Sequence, residues 1–427
     1  MRNLKHFLVA IFFFFFVYDV RLKGLPSLLS SRKLSLVFLA IMSIIHYQKT
    51  KGIILKIPRL KNGKESIYKA YVIGIFCIWC YSILIAVFNG RLKNDYVDAR
   101  NLMFFMLYSV IAPFFLRYLF KDWEELFKTL IFVGIIQTVI IYALFLFPGL
   151  PAIFDKLFET DARFGYTSTI RGRVLGLGSG GAALSVLLFL SLYSLGYFLF
   201  AEKNVIFSSL MYAFILGATL LTGRTGFFAG IFLAVIIVWK KVLRNCIKKK
   251  LLLKVFVAFL FVIALMGFAL EFAMRDEILS NKVVQLLSFI KISKTFSVHG
   301  NSFLKDILKM NLPEISLELL YGAGFGRGLS FTGVNVQNDI GYVQRIFSLG
   351  LFFGTAFYLT NFICFWKISS KLKKANYRFY YRILIFALFV FELKETFFYY
   401  YLVPSIILLM GLIDVCDKDI NRNPIMT

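Results

Sequence analysis

Charged residues are scarce in this chain of 427 residues, at 17%, and acids are scarcer still, with 23 Asp and Glu against 49 Lys and Arg. Soluble domains are about a quarter charged and about half apolar. Here 59% of residues are hydrophobic and mean hydropathy is +0.77, which excludes a large soluble globular enzyme. There are three His and five Cys. No His/Cys/Asp cluster has metal-ligand spacing, and no Ser-His-Asp or G-x-S-x-G arrangement occurs, so neither a metal site nor a cofactor is implied. Cys77, Cys80, Cys246, Cys364 and Cys416 fall outside every segment assigned below to the outer face, so no disulfide framework is expected. "CIWC" at 77–80 has the letters of a redox motif, but it lies in an apolar run and reads as buried helix positions. The polar/apolar alternation of a membrane β-barrel is missing, as is any internal repeat.

What remains is a succession of apolar runs of roughly 15–25 residues, the signature of a polytopic helical membrane protein. The fold class is therefore all-α. About twelve spans are expected: 4–20, 32–47, 70–89, 101–120, 126–147, 174–200, 205–222, 225–239, 251–271, 343–366, 378–394 and 396–415. The whole chain, 1–427, reads as one integral membrane domain with a long outer loop at 272–342. The first 20 residues resemble a signal peptide but lack a small-x-small cleavage site, so they count as a retained first span. The net charge of +26 does not point to nucleic acid, because the basic residues gather in loops. Residues 48–69 hold seven Lys/Arg and one acid, 240–254 hold seven and none, and 367–382 hold six and none. By the positive-inside rule all three loops are cytoplasmic, and the even numbers of spans between them agree. The first hairpin runs against the rule, placing Arg21, Lys23, Arg32 and Lys33 outside.

Arginines on the outer side need a reason to be there. They are Arg163, Arg171, Arg173, Arg224, Arg275, Arg327 and Arg345, and headgroup snorkelling or local pairing is the structural account of any single one. Arg224 differs. It interrupts an otherwise uncharged stretch from Val205 to Trp239, within "TGRTG" between two short spans. At 1.5 Å per residue the second span reaches only about 22 Å against a hydrocarbon core of about 30 Å. The turn is thus expected to be drawn into the membrane, with Thr222 and Thr225 capping freed backbone and Gly223 and Gly226 permitting the turn. An arginine in such a recess is an anion clamp, suited to phosphate. "GLGSGGAA", after Arg171 and Arg173, has small residues that allow close helix packing or approach to a ligand. Its G-x-G-x-x-G letters follow no strand and do not indicate a nucleotide loop.

Asp339, in "VNVQNDIGYVQRIFSLGLFFG", sits where the long loop enters the tenth span and is a candidate general base or a helix cap. His299 is the rival base. In "FELKETFF", Glu392, Lys394 and Glu395 interrupt an apolar hairpin, and mutual pairing at the turn is the plain reading.

The order of these features resembles the Wzy-type polymerases that join O-antigen or capsule repeat units, and more distantly the O-antigen ligases. The features are the many spans, "TGRTG", a "GAGFG" stretch closing a late outer loop, "NDIGYVQRIFSLGLFFG" and "ELKETFF". Ligases carry a histidine about eleven residues before a glycine of this kind, and counting back from Gly350 gives Asp339, an acid, which favours the polymerase. The resemblance implies a metal-independent glycosyltransferase in the bacterial inner membrane. It takes undecaprenyl-pyrophosphate-linked oligosaccharide as substrate and has a chain-length regulator as a possible partner. Arg224 with Arg171 or Arg173 would hold the pyrophosphate. Arg275, Arg327, Arg345 and Lys394 would contact substrate, and Asp339 would act as base. An O-antigen ligase and a flippase for the same lipid are the alternatives.

Overall fold

The computed structural model describes residues 2–26, 29–50, 67–89, 96–159, 166, 174–178, 181–201, 205–243, 317–324, 328–329, 335–336, 340–372 and 374–415. Arg163, Arg171, Arg173, Arg275, Arg327, Asp339, His299, Cys246, Cys416, the ninth expected span and most of the expected 272–342 loop lie outside them. Six helices are long and apolar enough to cross a membrane: Ile67–Asn89, Val97–Leu119, Trp123–Leu146, Ala183–Phe200, Val205–Thr222 and Gly341–Lys371. His6–Val17 and Leu402–Asp414 are shorter apolar helices. The described residues therefore carry six such helices where the sequence suggested about twelve spans. They form two compact units, Met1–Phe38 with Glu124–Ile292, and Leu39–Trp123 with Ser293–Thr427.

The first unit contains α1 (Arg2–Val17), the start of α2 (Ser31–Thr50), most of α6 (Trp123–Leu146), α7 (Leu150–Leu157), α8 (Gly181–Phe200), α9 (Val205–Thr222) and α10 (Arg224–Leu243). α8 is buried almost all round, as expected of a helix without a polar face. Small residues bring its neighbours close: a Cβ on Gly134 of α6 would strike Ser191, whose hydroxyl bonds Leu130 O at 2.8 Å. Gly226 and Gly230 of α10 are four apart and meet Ser185 and Leu192 of α8, the close-approach pattern of membrane helices. The basic residues that broke the charge rule have local work. Arg32 Nε and Nη2 donate to Phe16 O and Val17 O at 3.0 and 2.7 Å, capping the last carbonyls of α1. Arg21 pairs with Asp19, and Lys23 Nζ donates to Asp155 O. α7 places Leu150, Ile153, Phe154 and Leu157 at helical spacing and buries none of its residues, the form of a helix lying at a membrane interface.

The second unit contains α3 (Ile67–Asn89), α4 (Val97–Phe105), a π-helical turn (Met106–Ile111), α5 (Ala112–Leu116) and a 3₁₀ turn (Arg117–Leu119). Later in the chain come α11 (Leu317–Tyr321), α12 (Gly341–Lys371), α13 (Ala375–Glu392), a second 3₁₀ turn (Phe397–Tyr400) and α14 (Leu402–Val415). Gly328–Leu329 and Asn335–Val336 form a two-residue antiparallel pair. The π turn precedes Pro113, which has no N–H to continue the ladder. The freed geometry lets Ser109 donate to Tyr401 O at 2.8 Å. α14 fills the centre, with Val403 and Ile406 through Met410 fully buried. It starts at Leu402, later than the expected span at 396–415, because the second 3₁₀ turn ends on Tyr401 at φ +59°.

α12 is broken at Gly350, whose φ of 75° and ψ of 165° suit only glycine. The break frees carbonyls, and non-helical backbone in a membrane helix must find partners within the protein. It does so here. Ala323 and Gly324 donate to Phe347 O and Ser348 O at 2.9 and 3.0 Å. Gly322, at φ +102°, packs so closely on Ser348 and Leu349 that no side chain would fit. The "YGAG" stretch thus forms a clasp over the break.

Candidate functional site

Two clusters carry the polar chemistry, one in each unit. In the first, Gly223 alone separates α9 from α10, and Arg224 is the first residue of α10. A Cβ on Gly223 would lie 2.8 Å from Gly181 O, so this break rests on the start of α8. Gly226 N–H donates to Ser185 Oγ at 3.2 Å, and Thr222 Oγ1 bonds back to Thr219 O at 3.2 Å. Val174 N–H donates to Leu221 O at 3.0 Å, tying the chain just after Arg173 to the turn that Arg224 heads. In "GLGSGGAA", Gly176 and Gly178 serve close packing, since a Cβ would strike Gln137 Nε2 and Tyr18 O respectively. α10 has 20 residues and runs through Lys240 and Lys241 to Leu243, beyond the expected 225–239, while its apolar stretch still ends at Trp239. What sets Arg224 apart is its position. A cation at a helix N-terminus faces the positive end of the helix dipole, an arrangement that costs about 0.3–1 kcal/mol and that a bound anion reverses.

Tyr166 links α7 to the chain ahead of α8. Its N–H donates to Asp155 Oδ1 at 2.5 Å and its hydroxyl to Gly176 O at 3.2 Å. Burial, with the Asp155 charge beside it, pushes the phenol above its ordinary range.

The second cluster lies in the second unit. Arg345, expected among the outward substrate-binding arginines, is buried in the first half of α12 at 1% exposure. Its Nη1 donates to both carboxylate oxygens of Asp98 at 3.3 and 3.1 Å, and Ser348 Oγ donates to the same carboxylate. Asp98 stands in the first turn of α4, and its N–H reaches Gly324 O at 3.3 Å, which links it to the clasp. The Arg345 guanidinium stacks 3.3 Å from the Tyr399 ring centroid. Glu392, at the end of α13, is fully buried and accepts from Tyr358 Oη at 2.7 Å and Phe398 N–H at 3.1 Å. It packs on Gly341, the first residue of α12, where a Cβ would lie 2.5 Å from its carboxyl. The Arg345 charge acts on both Glu392 and Tyr358. "ELKE" is thus more than a self-paired turn: Glu392 turns inward, while Glu395 accepts from Tyr400 at 3.0 Å. Lys394 is half-buried in the turn after α13.

Asp98 and Ser348 were missed in the sequence. Asp98 fell between the expected spans 70–89 and 101–120, although an acid in the first turn of an apolar helix was the available signal. Cys77 and Cys80 are free thiols on α3, with Cys77 on the exposed face and not buried as expected.

The described residues are almost entirely helical, with six helices fit to cross a membrane and an ion pair buried inside one helix cluster, which makes this a helical membrane protein. It matches no protein-family model, no curated protein and no solved structure.

Proposed function

We propose that the chain is a bacterial inner-membrane polymerase of the Wzy type, with about twelve spans and a long periplasmic loop. In this reading it joins oligosaccharide repeat units carried on undecaprenyl pyrophosphate. The acceptor hydroxyl attacks the anomeric carbon of the donor, and the bond to pyrophosphate breaks with its electron pair leaving on the lipid pyrophosphate. Asp339 takes the hydroxyl proton. Arg224, with Arg171 or Arg173, neutralises the leaving group, as positioned cations stabilise developing charge.

The observation that carries this reading is Arg224 at the head of α10, behind a one-residue break and half-buried. Guanidinium and helix N-terminus present positive charge at one point, which phosphate satisfies. The test is complementation of a deletion strain. Arg224→Ala should insert normally yet yield single capped repeat units, and long-chain glycan from this variant refutes the clamp.

The broken α12 with its buried ion pair favours a second reading, a flippase for the same lipid, since transporters build sites at interrupted helices. The deletion strain separates the two: a polymerase mutant displays single units outside, and a flippase mutant accumulates them inside.

A further inference from the structure

Three polar atoms in the second unit are buried without a hydrogen-bond partner and lie together: Arg345 Nε, Arg345 Nη2 and Tyr399 Oη, on side chains stacked 3.3 Å apart. Orphaned donors of this kind cost about 1–3 kcal/mol each, a cost that a bound acceptor or a water removes. The guanidinium is held by Asp98 through its other edge, so the unpartnered edge is fixed in direction. Charge decides the class of ligand. The cluster already sets two carboxylates, Asp98 and Glu392, against one guanidinium, and a bound anion would add a third negative charge where desolvation is costly. A neutral hydroxyl suits both sides, accepting from the Arg345 edge and donating to the Glu392 carboxylate. The walls are aromatic, with Phe357, Phe398 and Tyr358 around the polar groups. Apolar, aromatic lining with a few fixed polar groups is the usual make-up of a small-ligand site.

We infer that Arg345, Tyr399 and Glu392 form a binding site for hydroxyl groups of a neutral sugar, separate from the arginine that meets phosphate. The inference rests on the polymerase reading for the identity of the ligand as glycan. Arg345 and Glu392 are closed off from solvent in this structure, so the ligand enters with a shift of the covering turn Phe397–Tyr400. That turn ends on Tyr401 in the left-handed region, a conformation costly for a non-glycine residue.

The experiment uses the full chain in lipid nanodiscs and two probes from the deletion strain: the lipid-linked repeat unit, and the free oligosaccharide released from it by mild acid. Calorimetry measures binding of each. Wild type should bind both. Glu392→Gln should bind the free oligosaccharide about 10- to 100-fold more weakly, the range for losing a hydrogen bond to a charged group. Tyr399→Phe is the guard against misfolding. Its hydroxyl bonds nothing in the structure, so its melting temperature should hold while affinity falls about two- to tenfold. Arg224→Ala should weaken only the lipid-linked probe. Free-oligosaccharide affinity unchanged in both Glu392→Gln and Tyr399→Phe overturns the sugar site and leaves the orphans to water. Unaltered glycan length in the deletion strain overturns the polymerase reading instead.

Discussion

Replacing Asp98 by Asn should destabilise the second unit more than any conservative change on its surface. Asn keeps the volume and one acceptor oxygen but removes the charge that Arg345 faces at 3.1 Å, with the two side chains only 4% and 1% exposed. At that separation the attraction is about 5 kcal/mol for an effective dielectric of about 20. Breaking a buried pair by deleting one partner costs about 3–5 kcal/mol, since the other charge is stranded. Glu392 lies within electrostatic reach of the same guanidinium and softens the loss, so about 3 kcal/mol is expected. The readout is thermal unfolding in detergent, followed with a thiol-reactive dye on Cys364, which is buried at 3%, in a background where Cys77, Cys80, Cys246 and Cys416 are Ser. The midpoint should fall by on the order of 10 °C. Adding Arg345→Met removes the stranded charge, and the double variant should recover part of the loss, as coupled sites do. An Asp98→Asn protein that melts within about 0.5 kcal/mol of wild type, or a double variant equal to the sum of the singles, would refute the pairing argument.

Two further outcomes follow from close backbone contacts. Gly226→Ala puts a methyl against the Ser185 backbone, so α10 must move off α8; the net loss should be about 1–3 kcal/mol despite better helix propensity. Gly149→Ala, with open space around it, should be neutral in the same melting assay. Gly350→Ala meets Leu320 O at a positive φ and should loosen the clasp, seen as lost hydrogen-exchange protection at the Ala323 and Gly324 amides with the α14 amides unchanged.

Helices and their apolar character were legible because periodicity and hydropathy are local properties. Arg224 was legible for the same reason: one charge in a long uncharged run needs no partner to be noticed. Asp98 was not, since its partners Arg345 and Ser348 are 247 and 250 residues away and only the packed fold brings them together. Glu392 was noticed but placed facing its own turn, because Lys394 two residues on was the nearest opposite charge in sequence. Burial against Tyr358 and the Phe398 amide overrode that local choice. "GAGFG" was read as the end of a loop. That Ala323 and Gly324 donate their backbone N–H groups to a broken helix depended on the φ of Gly350, which letters alone do not reveal. α10 extends beyond the expected 225–239 because lysine is a good helix former and the helix runs through Lys240 and Lys241.

The glycine at 350 also settles which way an arginine points. Residues seven apart on a continuous helix share a face to within about 20°. Phe352 is 70% exposed, so an unbroken α12 would have turned Arg345 to that same outward side. The break rotates the leading half of the helix independently of the trailing half, and Arg345 is 1% exposed as a result. A single residue without a side chain thus gives one helix two azimuths: the long half presents Phe352 to its surroundings, and the short half turns its charge inward to Asp98.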